Sequence, residues 1–397
     1  MRRGVWHQCG NRSQKLVEEQ LLLGAGVGVI LSPRDLSRDG AIAYAKRYRT
    51  AGADVLIDQQ FFVPDFTNAQ CGTYPISKFR TSVSALNKIS DQDLIDFQNE
   101  LRIDHVAFKA SAMIAPAVVY EAGRADIVQL NSRLFNAAKA VASELSIPIY
   151  ATVVLGKSVT SSDQTMQSTL SQATASNCDG WYFGFEFEEE RIPSVRDTIR
   201  RCCAAGLTLA CTGKPALHAY AGPMGLLSFG FGATGVGIGH SQNLWQFTRD
   251  RWAPPSGEGG GGHAPPRYFS KPLWGTIVYP DETTQLPLTL RNQIWSPSPF
   301  NTPVTSGLPW SRWDANKHLV YVLAQQYSLM AAETDPRKNA KAAIALLDGA
   351  VNLHAAIRQA NVFLTDKTNV YQANWKLALE DLLSNNSADF DFLELLR

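Results

Sequence analysis

The chain has 397 residues, 45% of them hydrophobic, with 37 Lys and Arg against 36 Asp and Glu. A formal net charge of +1 excludes a broad basic field, so bulk capture of nucleic acid through its phosphates is not expected and only a local groove is left. At 18% charged and 10% aromatic, the composition is that of a soluble globular chain, long enough for two domains or for one large barrel with an appendage.

Six cysteines (Cys9, Cys71, Cys178, Cys202, Cys203 and Cys211) carry no CxxC or CxC spacing, and adjacent Cys202 and Cys203 suit neither a chelate nor an ordinary disulfide. The expectation is free thiols in a reducing cytoplasm, with no metal and no cofactor. The apolar run Leu21 to Leu31 follows Glu18 and Glu19, where a signal peptide carries positive charge, and it is too short to span a bilayer. It reads as the first core strand, after an N-terminal helical segment over residues 1–22.

From there the chain alternates. Val27 to Pro33 is a strand, followed by the helix RDGAIAYAKRYRTAG; Ala53 to Gln60 is the next strand. Residues 90–145 read as two or three helices with at most one poor strand, around His105 to Phe108. IYATVVLGK from Ile149, DGWYFGFEFEEE from Asp179, LTLACTGK from Leu207 and ATGVGIGH from Ala233 read as strands, as does KPLWGTIVY near residue 275. The helix VRDTIRRCCAAG stops at Gly206. This alternation predicts an α/β fold: an eight-stranded TIM-like barrel over residues 23–280, with a helical insertion. An open doubly wound sheet is the alternative. PPSGEGGGGHAPP makes a flexible Gly/Pro loop at 254–266, residues 281–312 wrap irregularly, and 313–397 form a C-terminal helical appendage.

Strand parity points to the site, because reacting groups in a barrel sit at the carboxyl ends of strands. Trp181, Phe183, Phe185 and Phe187 share one parity and belong to the helix side, which turns Tyr182, Gly184, Glu186 and Glu188 inward. Val55 and Ile57 outward leaves Leu56, Asp58 and Gln60 inward. In LTLACTGK, Thr208, Ala210, Thr212 and Lys214 take the inner parity, so Lys214 is a mouth lysine, suited to pairing with an anion or to a Schiff base; Lys157 is a weaker analogue. Residues 230–235 fit GxGxxG, yet the glycines interleave a strand instead of opening a helix, so Gly235, Gly237 and Gly239 serve close packing. Gly239, His240 and Ser241 then turn into a helix QNLWQFTRD whose N-terminus offers N–H groups to an anion. His218 belongs to the helix side.

Three segments in this order, LIDQQFF, DGWYFGFEFEEE and TGKP with FGATGVGIG, resemble strands of the tRNA-guanine transglycosylase barrels. The likeness covers about half of the chain. Gln59 and Gln60 replace that family's paired glycines, its cysteine-rich zinc site is missing, and His240 stands where its nucleophilic aspartate lies. The resemblance implies Asp58 as an acid/base or base-contacting group and Glu186 or Glu188 as a polar contact.

The reading is an enzyme acting on a small polar substrate by glycosidic-bond or nucleoside chemistry. Asp58 and Glu186 are the catalytic carboxylate pair, one protonated and one ionised. Gln60, Glu188, Lys214, Gly239, His240 and Ser241 bind the substrate. The rival is a non-catalytic barrel that docks a protein partner or a second copy through its tail and through Trp295, Trp310 and Trp313; a Schiff-base lyase at Lys214 is the third option.

Overall fold

A computed structural model describes residues 1–187, 192–253, 265–302, 304, 309–365 and 368–396. Eight parallel strands form a nearly closed barrel: β1 (Gly4–Gln8), β2 (Gly28–Leu31), β3 (Asp54–Ile57), β4 (Met113–Ile114), β5 (Ile149–Leu155), β6 (Gly180–Phe185), β7 (Ala216–His218) and β8 (Gly235–Ile238). β1 pairs with both β2 and β8. At the remaining seam, Ser111 N–H donates to the Val55 carbonyl at 2.8 Å. The barrel and its covering helices are as expected; several strand assignments differ.

The first strand is β1, not the run at Val27. Residues 1–22 are therefore not only helical: they supply a barrel strand, then the helix Gln14–Leu22. His105 to Phe108 close the helix Asp91–Phe108, which starts from a reciprocal cap between Ser90 and Asp93, and the missing strand is the two-residue β4. LTLACTGK is not a strand. The helix Arg196–Ala210 runs through Gly206, because burying Ile199, Cys202, Cys203, Leu207 and Leu209 follows a helical period. Gly206 marks a close approach instead of a stop: a Cβ there would lie 2.3 Å from the Phe231 ring. KPLWGTIVY contributes Gly275–Val278 to an antiparallel hairpin with Arg267–Ser270, outside the barrel.

The C-terminal helices are part of the barrel wall. After β7 comes a helix of six residues, Gly225–Gly230, and after β8 come short 3-10 turns where QNLWQFTRD was expected to be a helix. Gly225–Gly230 packs on β8, but the turns after β8 supply no covering α-helix. The helix Arg312–Ala332 fills this gap over β1 and β8, with Tyr327 donating to the carbonyl of Gly222 at 2.7 Å. The helix Pro336–Gln359 packs on Gly225–Gly230, where Gly230 lies 3.1 Å, from where its Cβ would be, to Ala340. Thr368–Asn385 packs on Arg196–Ala210, tied by Trp375 Nε1 to the Pro193 carbonyl at 2.8 Å. One apolar core accordingly runs from Val5 and Phe183 out to Leu323, Leu347, Trp375 and Phe390. Within residues 281–312, Asp281–Gln285 and Leu288–Ile294 are short helices. Of the tryptophans offered as a docking surface, Trp295 and Trp310 pack on Tyr268 inside this seam, and Trp313 is partly exposed.

Strand parity holds. Val55, Ile57, Trp181, Phe183, Phe185 and Phe187 join the core under the helices, while Trp6, Ile30, Leu56, Tyr150, Tyr182 and Leu217 fill the interior. Trp6 fits because its neighbours are bare: a Cβ on Gly28 would lie 2.3 Å from its ring.

Candidate active site at the barrel mouth

At the carboxyl ends of the strands, side chains from five of them converge in one hydrogen-bonded network. Asp58, just past β3, is 2% exposed. Its carboxylate accepts from the Gln60 backbone N–H at 2.9 Å and from the Tyr182 hydroxyl of β6 at 2.8 Å. The Gln60 amide accepts from Ser32 Oγ at 2.7 Å, after β2, and donates to the Tyr220 hydroxyl, after β7, at 2.8 Å. Tyr220 N–H donates in turn to Gln8 Oε1 of β1 at 2.6 Å. Gly237 allows this last bond, since a Cβ there would sit 3.1 Å from that amide oxygen. Gln60 and Tyr220 both hold left-handed backbone, at φ 52° and 53°. Such strain in two large side chains is retained where the surroundings fix both, and it gathers at working sites.

Electrostatics single out Asp58. Burial pushes its carboxyl up from 3.8 to about 6, against the two hydrogen bonds and the nearby charges of Arg251 and Arg80 that favour the ionised form. Burial also raises the Tyr182 phenol well above its ordinary value, so Tyr182 keeps its proton and remains a donor. Arg251 lies in the same chamber. One guanidinium nitrogen donates to Asp35 at 2.6 Å, the group sits 5.6 Å from the Tyr220 ring centre, and Nε and Nη1 have no hydrogen-bond partner among the described residues.

Phe62, Tyr220, Phe247 and Trp252 close the mouth as a cluster of rings with centroids 5.1–6.4 Å apart. Each is no more than 3% exposed, and the cluster continues the interior core. Two of these rings belong to residues 245–252, which lack regular helix and are strapped down at two places. Arg249 pairs with Glu186 at 2.7 Å and also with Glu121; Arg34 donates to the Arg251 carbonyl at 2.7 Å.

Glu186 therefore faces inward at the rim, as parity required, and is 1% exposed. Its carboxylate accepts from Arg249 backbone N–H and Nε at 3.2 and 2.9 Å, and its backbone bridges to Phe247. It shares no hydrogen-bond partner with Asp58 among the described residues. Gln60 joins the network. Lys214 does not: it lies at the amino end of β7, opposite the mouth, with its ammonium 5.6 Å from the Trp181 ring centre. That placement removes the basis for a mouth lysine and for Schiff-base chemistry there. Glu188 lies outside the described residues, as do residues 254–264 of the Gly/Pro loop.

His240 and Ser241 follow β8 and line a cleft of about 390 Å³. Gly239 is a packing residue, since its Cβ would be 2.2 Å from Leu244. The turn leads only into the three-residue 3-10 turn Gln242–Leu244, so the expected α-helix N-terminus is absent there among the described residues. Burial draws the His240 imidazole down to about 4, and its Nδ1 is buried without a partner among the described residues. His218 sits on the helix side as read, stacked on Phe183 and bonded to Ser228 at 2.7 Å. Among the described residues, no group of three or more His, Cys, Asp or Glu side chains is placed to hold a metal ion.

Sequence reasoning missed Gln8, Ser32, Tyr182, Tyr220 and Arg251. Tyr182 was within reach, because it shares inward parity with Glu186. Gln8 was hidden with its strand, and nothing local marks Arg251.

The molecule is thus an eight-stranded parallel α/β barrel whose polar network sits where barrels carry their chemistry. No protein-family model matches the chain, and no curated protein matches it.

Proposed function

We propose that the protein is a barrel enzyme acting on a small polar substrate by glycosidic-bond or nucleoside chemistry, with Asp58 as its acid/base. The observation that carries this reading is the buried Asp58 carboxyl, raised to about 6 and oriented by Tyr182 and Gln60. A carboxyl that exchanges its proton near neutrality can protonate the leaving atom of a glycosidic bond, which departs poorly without acid help. The resemblance of LIDQQFF to the tRNA-guanine transglycosylase strand supports the same residue. The rings of Phe62, Tyr220, Phe247 and Trp252 provide faces on which a base or sugar stacks, once residues 245–252 lift. Arg251 brings two unused donors. Glu186 acts through Arg249, holding that segment in place; it is a positioning residue in this scheme. Six cysteines held as thiols, five of them buried, support a reducing, cytoplasmic setting.

The test is release of base or aglycone from a panel of nucleosides and aryl glycosides. Cleavage by the native protein and none by Asp58→Asn supports the reading. Equal rates for the two, or no cleavage of any panel member, overturns it.

The filled mouth favours a second reading, a barrel that binds partners or its own copy without catalysis. A stable oligomer in sedimentation together with an inert panel selects it.

A further inference from the structure

Arg251 brings more donors to the barrel mouth than the folded chain uses. Its side chain is only 4% exposed, and one guanidinium nitrogen donates to Asp35 at 2.6 Å. Nε and Nη1 are buried without a partner among the described residues, and so is Nε1 of the adjacent Trp252. A buried donor left without an acceptor is costly, and the cost is larger for a charged group. The rings of Tyr220 and Trp252, with centres 5.6 and 5.5 Å from the guanidinium, face its charge without accepting a hydrogen bond.

The surrounding charges point to what is missing. Asp35 accepts from both Arg34 and Arg251, so one carboxylate serves two guanidiniums. Arg80 donates to the main-chain carbonyls of Gln59, Gln60 and Phe66 and pairs with no acid among the described residues. The charges of Arg251 and Arg80 reach Asp58, but its hydrogen bonds come from Gln60 and Tyr182. Glu186 and Glu121 are taken by Arg249 at the rim. Three guanidiniums, those of Arg34, Arg80 and Arg251, therefore face the two carboxylates of Asp35 and Asp58, which leaves one positive charge over. A ligand carboxylate supplies one negative charge and two oxygens that only accept. A hydroxyl brings no charge, and a phosphate monoester brings close to two. Arg251 belongs to the segment that lifts to admit a ligand, so closure brings its free donors down onto what has entered.

We infer that the Asp58 site takes a ligand carrying a carboxylate, which Arg251 binds through its free nitrogens. The inference rests on the enzyme reading only in making that ligand the substrate, an acidic glycoside or nucleoside; the carboxylate site itself stands on Arg251 and the charges around it.

Calorimetry on the full chain with two matched pairs tests it: D-glucuronate against D-glucose, and orotidine against uridine. Each acid has a carboxylate where its neutral partner has a hydroxymethyl group or a hydrogen. At least one acid is expected to bind more tightly than its partner, by roughly tenfold or more. Arg251→Met should abolish that preference, and Arg251→Lys should keep part of it, because it restores the charge with fewer directed donors. Acids that bind no tighter than their partners, no binding of either acid, or a preference that Arg251→Met leaves unchanged each overturns the inference. The comparison within each pair uses the native chain, so it decides even where Arg251→Met does not fold. The two claims fail separately: a tightly bound acid with an inert cleavage panel overturns the enzyme reading alone, and cleavage of neutral substrates with no preference for acids overturns this inference alone.

Discussion

The Tyr182 hydroxyl donates to the Asp58 carboxylate at 2.8 Å across the barrel interior, joining β6 to the end of β3. Both groups are buried, and the bond couples a phenol that keeps its proton to a carboxyl that titrates near pH 6. Removing either partner has consequences of opposite kinds.

Asp58→Asn is expected to stabilise the protein while abolishing turnover. The folded carboxyl titrates at about 6 and the unfolded one near 3.8, so between those values the folded state holds a proton that the unfolded state has released. Stability from this group therefore falls as pH rises through that window, by roughly 3 kcal/mol in all. A neutral amide removes this cost. Urea denaturation at pH 7.5 should show a higher midpoint for the variant; a lower one contradicts the assignment.

Tyr182→Phe leaves one carboxylate oxygen without its donor. The Asp58 titration should move up by about one unit, with a loss of about 1–2 kcal/mol in stability. Carboxyl-carbon NMR titration reads the shift directly, and an unmoved Asp58 would sink the coupling.

Acid should unfold the protein through its histidines. His7, His105, His240, His318 and His354 are each drawn down to about 4 by burial, and His218 to about 3. The unfolded chain takes up these protons near pH 6.5 and the folded chain does not, so stability is complete above that value and is lost as pH falls toward 4. Asp58 and Asp104, both carboxyls that burial raises, work in the opposite direction to these six histidines. The urea midpoint should drop steeply between pH 6.5 and 4.5; a flat profile there refutes buried neutral histidines.

Glu186→Gln keeps the shape at the rim but removes the charge that Arg249 pairs with. Because Arg249 is partly exposed, the expected loss is modest, about 1–2 kcal/mol. If Glu186 acts by positioning residues 245–252, Arg249→Ala should lower turnover to the same degree, and both should speed hydrogen exchange in that segment. Loss of turnover in Glu186→Gln alone would return Glu186 to direct catalysis.

Gly206→Ala tests the packing of the tail-supported wall. Helix propensity favours alanine by about 1 kcal/mol. The added carbon meets the Phe231 ring at 2.3 Å, and overpacking of this kind costs about 1–3 kcal/mol. A net loss in thermal unfolding is expected, and a gain would show that the ring yields freely.

The barrel, its inward parity and the position of Asp58 were legible in the sequence because period-two alternation survives burial: Val55 and Ile57 face out, Leu56 and Asp58 face in. Glu186 was found in the same way. Short elements defeated that logic. β4 has two residues and β7 three, too few for a period to register, and the helix before β7 carries an apolar pattern that also suits a strand. Mistaking one for the other carried Lys214 from the floor of the barrel to its mouth.

What the sequence determined by itself was which faces of its longer elements are apolar, and hence that they wrap into a barrel with an acid at the end of β3. Tertiary structure alone decided what surrounds that acid. Tyr182 and Arg251 stand 124 and 193 positions away along the chain, and the Asp58 proton affinity depends on the water they and the rings exclude. Solvent exclusion is a property of the closed chamber, and no local stretch of sequence carries it.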